Sequence, residues 1–149
     1  MDPFEDESLY HIFMDVIRLH YYRTHTLLDE IGVYPGQPPM LFALSKKDGQ
    51  SQTELSEELN LKPSTITVML KRMEKAELVE RRVDMEDQRI SRVYITEKGR
   101  TVFEEVNRLM DIIKSECFDN FTMEELVLLR RLLMQMRDNL MKAIDDKDI

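Results

Sequence analysis

Between Ser51 and Ile95 the spacing of apolar residues changes from every third or fourth position to every second, and no single regular element accommodates both periods. Leu55 and Leu59 share one helical face, as do Ile66, Met69, Leu70 and Met73. Val79, Arg81 and Val83, then Val93 and Ile95, alternate as strands do. Ser51 with Glu54 three residues on is a capping box, in which the hydroxyl accepts from the N3 amide while the carboxylate reaches back to the cap amide. Pro63 suits the first turn of a new helix, so Asn60-Leu61-Lys62 is a break between two short helices. The segment is therefore held to one order: helix, break, a second helix reaching about Ala76, then a two-stranded hairpin with a charged tip over Asp84 to Ser91.

The flanks read as helices. The first runs from about Glu5 to Ile31 on Leu9, Ile12, Phe13, Val16, Ile17, Leu27, Leu28 and Ile31, and Gly32 ends it. Pro35, Gly36, Pro38 and Pro39 make a turn before a short helix on Met40, Leu41 and Leu44 that stops at Asp48-Gly49. Thr96 caps a fifth helix with the stripe Val102, Phe103, Val106, Leu109, Met110, Ile113 and Cys117. Thr122 and Glu125 form a second capping box, and Leu126, Leu129, Leu133, Met136, Leu140 and Ala143 follow, widened by Leu128 and Leu132. A chain of 149 residues has little interior for two long apolar helices. Both ends are therefore expected to pack together and against a second copy in a two-fold dimer, the alternative being an intramolecular bundle. The expected fold is mostly α with a small β-hairpin. It is a winged helix-turn-helix over residues 35–100 in a single domain 1–149, with 1–34 and 101–149 as dimerisation helices.

Several classes drop out. No Gly-rich phosphate loop or His-Glu-x-x-His motif is present and only 4 glycines occur, so an enzyme is not expected, nor a cofactor. One cysteine excludes an internal disulfide framework and a Cys-based zinc site; Cys117, on an apolar stripe, is expected to be a buried, inert thiol. His11, His20 and His25 are nine and five residues apart, not the i,i+4 spacing of a helical metal pair, so no metal is expected. The longest apolar run, Met40 to Leu44, is far short of the ~20 residues of a membrane span. Asp2, Glu5, Asp6 and Glu7 stand where a signal peptide would be positive, and the expected location is cytoplasmic.

The net charge of -8 argues against a nucleic-acid partner until its distribution is considered. From Leu61 to Arg100 there are ten Lys/Arg against seven Asp/Glu, or +3, leaving -11 for the rest. Screening over ~8 Å at physiological salt lets one positive face act independently of distant acids. On the fourth helix, Ser64, Thr65, Thr67 and Val68 are small enough to approach base edges in a major groove, with Lys71 and Arg72 one turn on, near phosphates. Arg89 at the hairpin tip suits a narrow minor groove, with Asp84 and Asp87 to orient it; Arg81, Arg82 and Arg92 at the hairpin base suit phosphates. Singly, each reads equally as a solvated helix or turn residue. Their order on helix, break, helix and wing favours double-stranded DNA, the rival class being a winged-helix protein-interaction module without specific DNA binding.

Three stretches carry a family resemblance: Gln52-Thr-Glu-Leu-Ser-Glu-Glu-Leu-Asn-Leu-Lys-Pro-Ser-Thr-Ile-Thr67, Leu78-Val-Glu-Arg81 with Asp84-Met-Glu-Asp-Gln-Arg89, and Ile95-Thr-Glu-Lys-Gly99. Together they resemble the multiple-antibiotic-resistance regulator (MarR) family of bacterial transcription factors. The resemblance implies a homodimeric repressor on a pseudo-palindromic operator, reading with Ser64, Thr65, Thr67, Val68, Lys71 and Arg72 and placing Arg89 at the wing tip. It also implies an effector cavity for small aromatic or phenolic molecules, for which Tyr10, His20, Tyr21, Met40 and Phe42 are the candidate lining. Two positions depart from the pattern: Val68, where members often have Arg, and Glu77, where they often have Gly. A Glu in a left-handed helix cap is strained, so the fourth helix is expected to end differently and to re-aim the wing.

Overall fold

A computed structural model describes residues 8–145, in the order α1 (Leu9–Glu30), α2 (Gln37–Lys46), β1 (Gln50–Ser51), α3 (Gln52–Leu59), α4 (Pro63–Lys75), β2 (Val79–Val83), β3 (Ser91–Ile95), α5 (Glu97–Cys117) and α6 (Met123–Asp145). The fold is mostly helical with one small antiparallel sheet, a winged helix-turn-helix. Its compact units divide after Ile113.

The helices of the first unit start at side-chain caps or at prolines that have no amide to satisfy. Ser8 caps α1 by accepting from the His11 amide at 3.3 Å; the expected start at Glu5 falls outside the described residues. Pro38 and Pro39 are not the expected turn: they lie in the first turn of α2, where an amide has no intrahelical partner to lose. The Ser51 box closes with Glu54 N to Ser51 Oγ at 3.1 Å and Ser51 N to Glu54 Oε2 at 2.9 Å. Asn60 ends α3 in the left-handed region (φ 51°), and Pro63 opens α4.

The end of α4 corrects the sequence reading. Glu77 does adopt the left-handed conformation (φ 61°), and the helix closes as it would on glycine. The Glu77 amide donates to Glu74 O at 2.9 Å and the Leu78 amide to Met73 O at 2.9 Å, the paired bonds of a Schellman cap. The expected cause of a re-aimed wing is therefore absent; the chain tolerates the local strain instead. Glu77→Gly should raise stability by about 1 kcal/mol, the scale of the left-handed penalty for a residue with a Cβ. Urea denaturation would show the gain as a higher midpoint at unchanged slope, and a lower midpoint would contradict it.

The sheet has three strands, not two, in the order β1-β3-β2. Gln50 and Ser51 pair with Val93 and Arg92; Val79 to Val83 pair with Ile95 to Ser91. Two residues carry no periodicity, which is why β1 is invisible in the sequence. Met40, Leu41, Leu44, Leu55, Ile66, Leu70, Met73 and Val93 are fully buried together and set α2, α3, α4 and the hairpin around one core. A second cluster joins the end of α1 to α5 through Leu27, Leu28, Val106, Leu109 and Ile113. Of the rest of the α1 stripe, Leu9, Ile12, Val16 and Ile17 are exposed, Phe13 is half-buried and Ile31 packs against the second cluster.

Thr96 caps α5 by accepting from the Gly99 amide at 3.0 Å, and its hydroxyl donates to Glu77 O at 2.6 Å. In the second unit, the Thr122 box closes at 3.2 and 3.0 Å and launches α6. Cys117 is exposed, not buried, because it lies one turn beyond Ile113, the last buried position of α5. Leu128, Leu132, Leu133 and Leu140 of α6 are also exposed. No helix among the described residues is long and apolar enough to cross a membrane.

Candidate nucleic-acid interface

The burial pattern of α4 leaves one face to solvent. Ile66, Leu70 and Met73 point into the core, and Ser64, Thr65, Val68, Lys71 and Arg72 are exposed, Val68 by 54%. Lys62 at the N-cap makes no side-chain cap bond and Pro63 has no amide, so the positive end of the helix dipole is open to an anion. Thr67 differs from its neighbours. It is half-buried, its hydroxyl donates to Pro63 O at 3.0 Å, and it accepts from Gln52 Nε2 at 3.2 Å. Arg72 lies 5.5 Å over the Tyr34 ring, a cation–π contact that draws it toward the α1–α2 connection.

The wing is built on Asp84. Its Oδ1 accepts from the amides of Glu86 (2.7 Å) and Asp87 (3.0 Å), an Asx turn, and its Oδ2 accepts from Arg92 Nε. The Arg92 guanidinium, then these two amides, hold the Asp84 carboxyl down to about 2. Asp87 pairs with Arg89 through both carboxylate oxygens at 3.0 Å and accepts the Arg89 amide at 3.1 Å. That pair comes first among the causes that lower the Asp87 carboxyl. Asp87 pairs with Arg89 directly, whereas Asp84 makes no contact with it: turn and guanidinium occupy its oxygens, and it acts on Arg89 through the turn that places Asp87. Arg89 itself is 90% exposed at the tip.

Strand register sorts the other arginines. Arg82 and Arg92 stand directly opposite one another, a destabilising like-charge pair unless each is compensated. Arg82 pairs with Glu80 and lies 4.5 Å over the Tyr94 ring. Arg92 donates to Gly49 O at 3.0 Å and lies 3.6 Å from Glu54, besides its bond to Asp84. Three parts of the fold hold Arg92, so it acts as a strut for the wing, while Arg82, paired only within its own strand and with Tyr94, is the more exposed of the two. Arg81 shares the face of Val79 and is tied to Glu74 and Gln52.

Asp84→Ala should therefore loosen the wing without unfolding the lobe. Hydrogen exchange should show the Glu86 and Asp87 amides losing protection while those of α4 keep theirs; unchanged wing protection would refute the turn's role. The pH sign follows from the lowered carboxyl. The contribution of Asp84 is complete above the ordinary carboxylate value near ~4 and fades as pH falls through about 2. Between pH 5 and 8 the wing should show no titration from this group.

The candidate effector residues differ in their surroundings within one chain. Met40 is buried on the inner side of α2, whereas Tyr10, His20 and Tyr21 are exposed on α1. Phe42 is half-exposed beside Phe103 at 6.4 Å, with the Lys46 ammonium 4.5 Å from its ring. The described residues hold no group of three or more His, Cys, Asp or Glu placed to bind a metal. Sequence reasoning missed Gln52 and Asp48. Asp48 accepts from the Ile95 amide at 2.9 Å and pairs with Arg100 at 3.3 Å, fastening β3 and α5 to the end of α2. Its only sequence signal was its place beside Gly49.

Comparison with known proteins converges on this geometry. The sequence profile of the MarR family matches residues 34–91, which run from the loop before α2 through the wing. The chain is 31% identical over 111 residues to an uncharacterised HTH-type transcriptional regulator, YsmB, of Bacillus subtilis (strain 168), covering 74% of this chain and 76% of that protein. It is 30% identical over 100 residues to the HTH-type transcriptional repressor MdtR of the same organism, covering 67% of this chain and 64% of that one. The structure of a MarR family protein from Bacillus stearothermophilus superposes with a TM-score of 0.73 at 26% identity, covering 89% and 93% of the two chains.

Proposed function

The chain belongs to the MarR family of DNA-binding transcription regulators, which are not enzymes, and from that premise we propose that it is a homodimeric repressor of a pseudo-palindromic operator. One observation carries the reading: the Asp84–Asp87 turn holds Arg89 90% exposed at the tip of the wing, while Ser64, Thr65 and Val68 leave one face of α4 open to solvent. Two copies of α4 enter successive major grooves about one helical turn apart, and each wing lays Arg89 in the flanking minor groove. Dimerisation is supported by the exposed Leu9, Ile12 and Val16 of α1 and Leu128, Leu132 and Leu140 of α6, since a lone chain leaves these side chains in water. MdtR is named a repressor, which supports the same sign of control here. The site of action is the cytoplasm, where the operator is. A small aromatic or phenolic effector that fits the DNA-incompetent dimer better relieves repression by population shift, with coupling of ~1 to 3 kcal/mol typical.

Selection of bound sites from random duplexes tests this reading, followed by titration of the enriched site at several salt concentrations and in the presence of simple phenolic acids. A two-fold symmetric site, bound by a dimer with steep salt dependence, is the expected result. A monomer in sizing chromatography that enriches no sequence would overturn it. Affinity for another protein with a flat salt response would favour the interaction-module reading.

A further inference from the structure

Thr67 of α4, Gln52 of α3 and Arg81 of β2 form a hydrogen-bonded chain that returns to α4 at Glu74. Gln52 Nε2 donates to Thr67 Oγ1 at 3.2 Å, Gln52 Oε1 accepts from Arg81 Nη1 at 3.0 Å, and Arg81 Nε donates to Glu74. Thr67 and Glu74 are seven residues apart, two turns along one face of the helix. The circuit thus ties α4 to its neighbours at two levels and fixes its rotation about its own axis relative to the wing. Gln52 can do this because the Ser51 capping box fixes the backbone from which it projects. Arg81 lies on the hairpin face that buries Val79, opposite fully buried Val93, and is itself only 26% exposed. An aliphatic side chain would serve packing there; a guanidinium adds the two directed bonds.

Resting on the DNA-reading function proposed above, we infer that Gln52 is a positioning residue that sets the sequence preference of α4. Two effects combine. The circuit sets the angle at which Ser64, Thr65 and Val68 meet the groove, and it limits what Thr67 can offer a base. The one hydroxyl proton of Thr67 goes to Pro63 O and one lone pair accepts from Gln52, which leaves a single acceptor site. Held in this way, Thr67 pairs only with a base that presents a donor in the major groove, the N6 amine of adenine or the N4 amine of cytosine. Without Gln52 the side chain is free to take another rotamer and the restriction lifts.

The test compares wild type, Gln52→Leu, Thr67→Val and the double variant, each selected against duplexes with random centres and then titrated on the enriched sites and on one scrambled duplex. Gln52→Leu removes both bonds at nearly constant volume, and Thr67→Val removes the shared bond from the other side, so either variant reports if the other folds poorly. The expected result is a loss of preference of about tenfold, confined to one or two base pairs per half-site, with affinity for the scrambled duplex changed less than about twofold. The double variant should resemble the single ones because the two residues share one bond. An unchanged preference profile, or an equal loss on every duplex, would overturn the inference by reducing Gln52 to a packing residue. If the wild-type protein itself enriches no sequence, the DNA-reading function has failed, and the inference falls with it.

Discussion

Gly99→Ala should destabilise the DNA-binding lobe by about 3 kcal/mol, toward the upper end of overpacking penalties. A Cβ at Gly99 would stand 2.1 Å from the carbonyl oxygen of Leu78 and 2.8 Å from Ile95 Cγ1. A flexible side chain could swing away; this carbonyl cannot. Leu78 is buried, its amide closes the α4 cap on Met73, and its carbonyl already accepts from the Thr96 amide at 3.0 Å. Two terms oppose one another. Alanine in a helix gains about 0.8–1.0 kcal/mol over glycine, which would make the change stabilising in open space. Contact at 2.1 Å with a fixed backbone atom outweighs that gain. The melting temperature should fall by roughly 10 °C, at 2–4 °C per kcal/mol for a chain near this size. A melting temperature equal to or above that of the parent would show that α5 can lift off the hairpin freely.

The same contact explains what the sequence could and could not disclose. The stretch Ile95-Thr-Glu-Lys-Gly99 was legible as a helix start because Thr96 is a cap by its local chemistry, and so were the boxes at Ser51 and Thr122. Gly99 was not legible, because its reason is a carbonyl twenty-one positions earlier in the chain. Nor was Asp48, whose partners Ile95 and Arg100 are 47 and 52 positions away. The arginines of the hairpin teach a different lesson. Arg81 has the parity of buried Val79, yet its charge led the sequence reading to a phosphate role; in the fold it lies opposite buried Val93 and is tied to Glu74 and Gln52. For Arg92 no periodicity helps, since it faces outward and is held by Gly49 and Asp84 only once three strands are assembled. Glu77 shows tertiary context overriding a local penalty: the Schellman bonds form on a residue that pays about 1 kcal/mol to adopt the geometry.

Arg89→Ala should weaken operator binding by roughly 10- to 100-fold while leaving the midpoint of urea denaturation unchanged. The separation between the two readouts follows from where Arg89 sits. At 90% exposure it adds little packing, and its ion pair with Asp87 is a solvent-screened surface pair that contributes little to folding. In the complex its loss counts twice. A cation leaves the narrow groove, where potential is most negative, and the Asp87 carboxylate, held charged by that guanidinium, is left facing a polyanion alone. The Arg89→Ala/Asp87→Ala double variant should therefore bind more tightly than Arg89→Ala, an ordering that a simple loss of charge does not produce. Arg89→Lys should fall between wild type and alanine, since it keeps the charge and loses the planar fork. With one wing per protomer, the slope of log affinity against log salt should shrink by roughly 2, at about 0.9 per neutralised phosphate. Binding within twofold of wild type in all three variants would mean the tip never reaches DNA, and specificity would then rest on α4 alone.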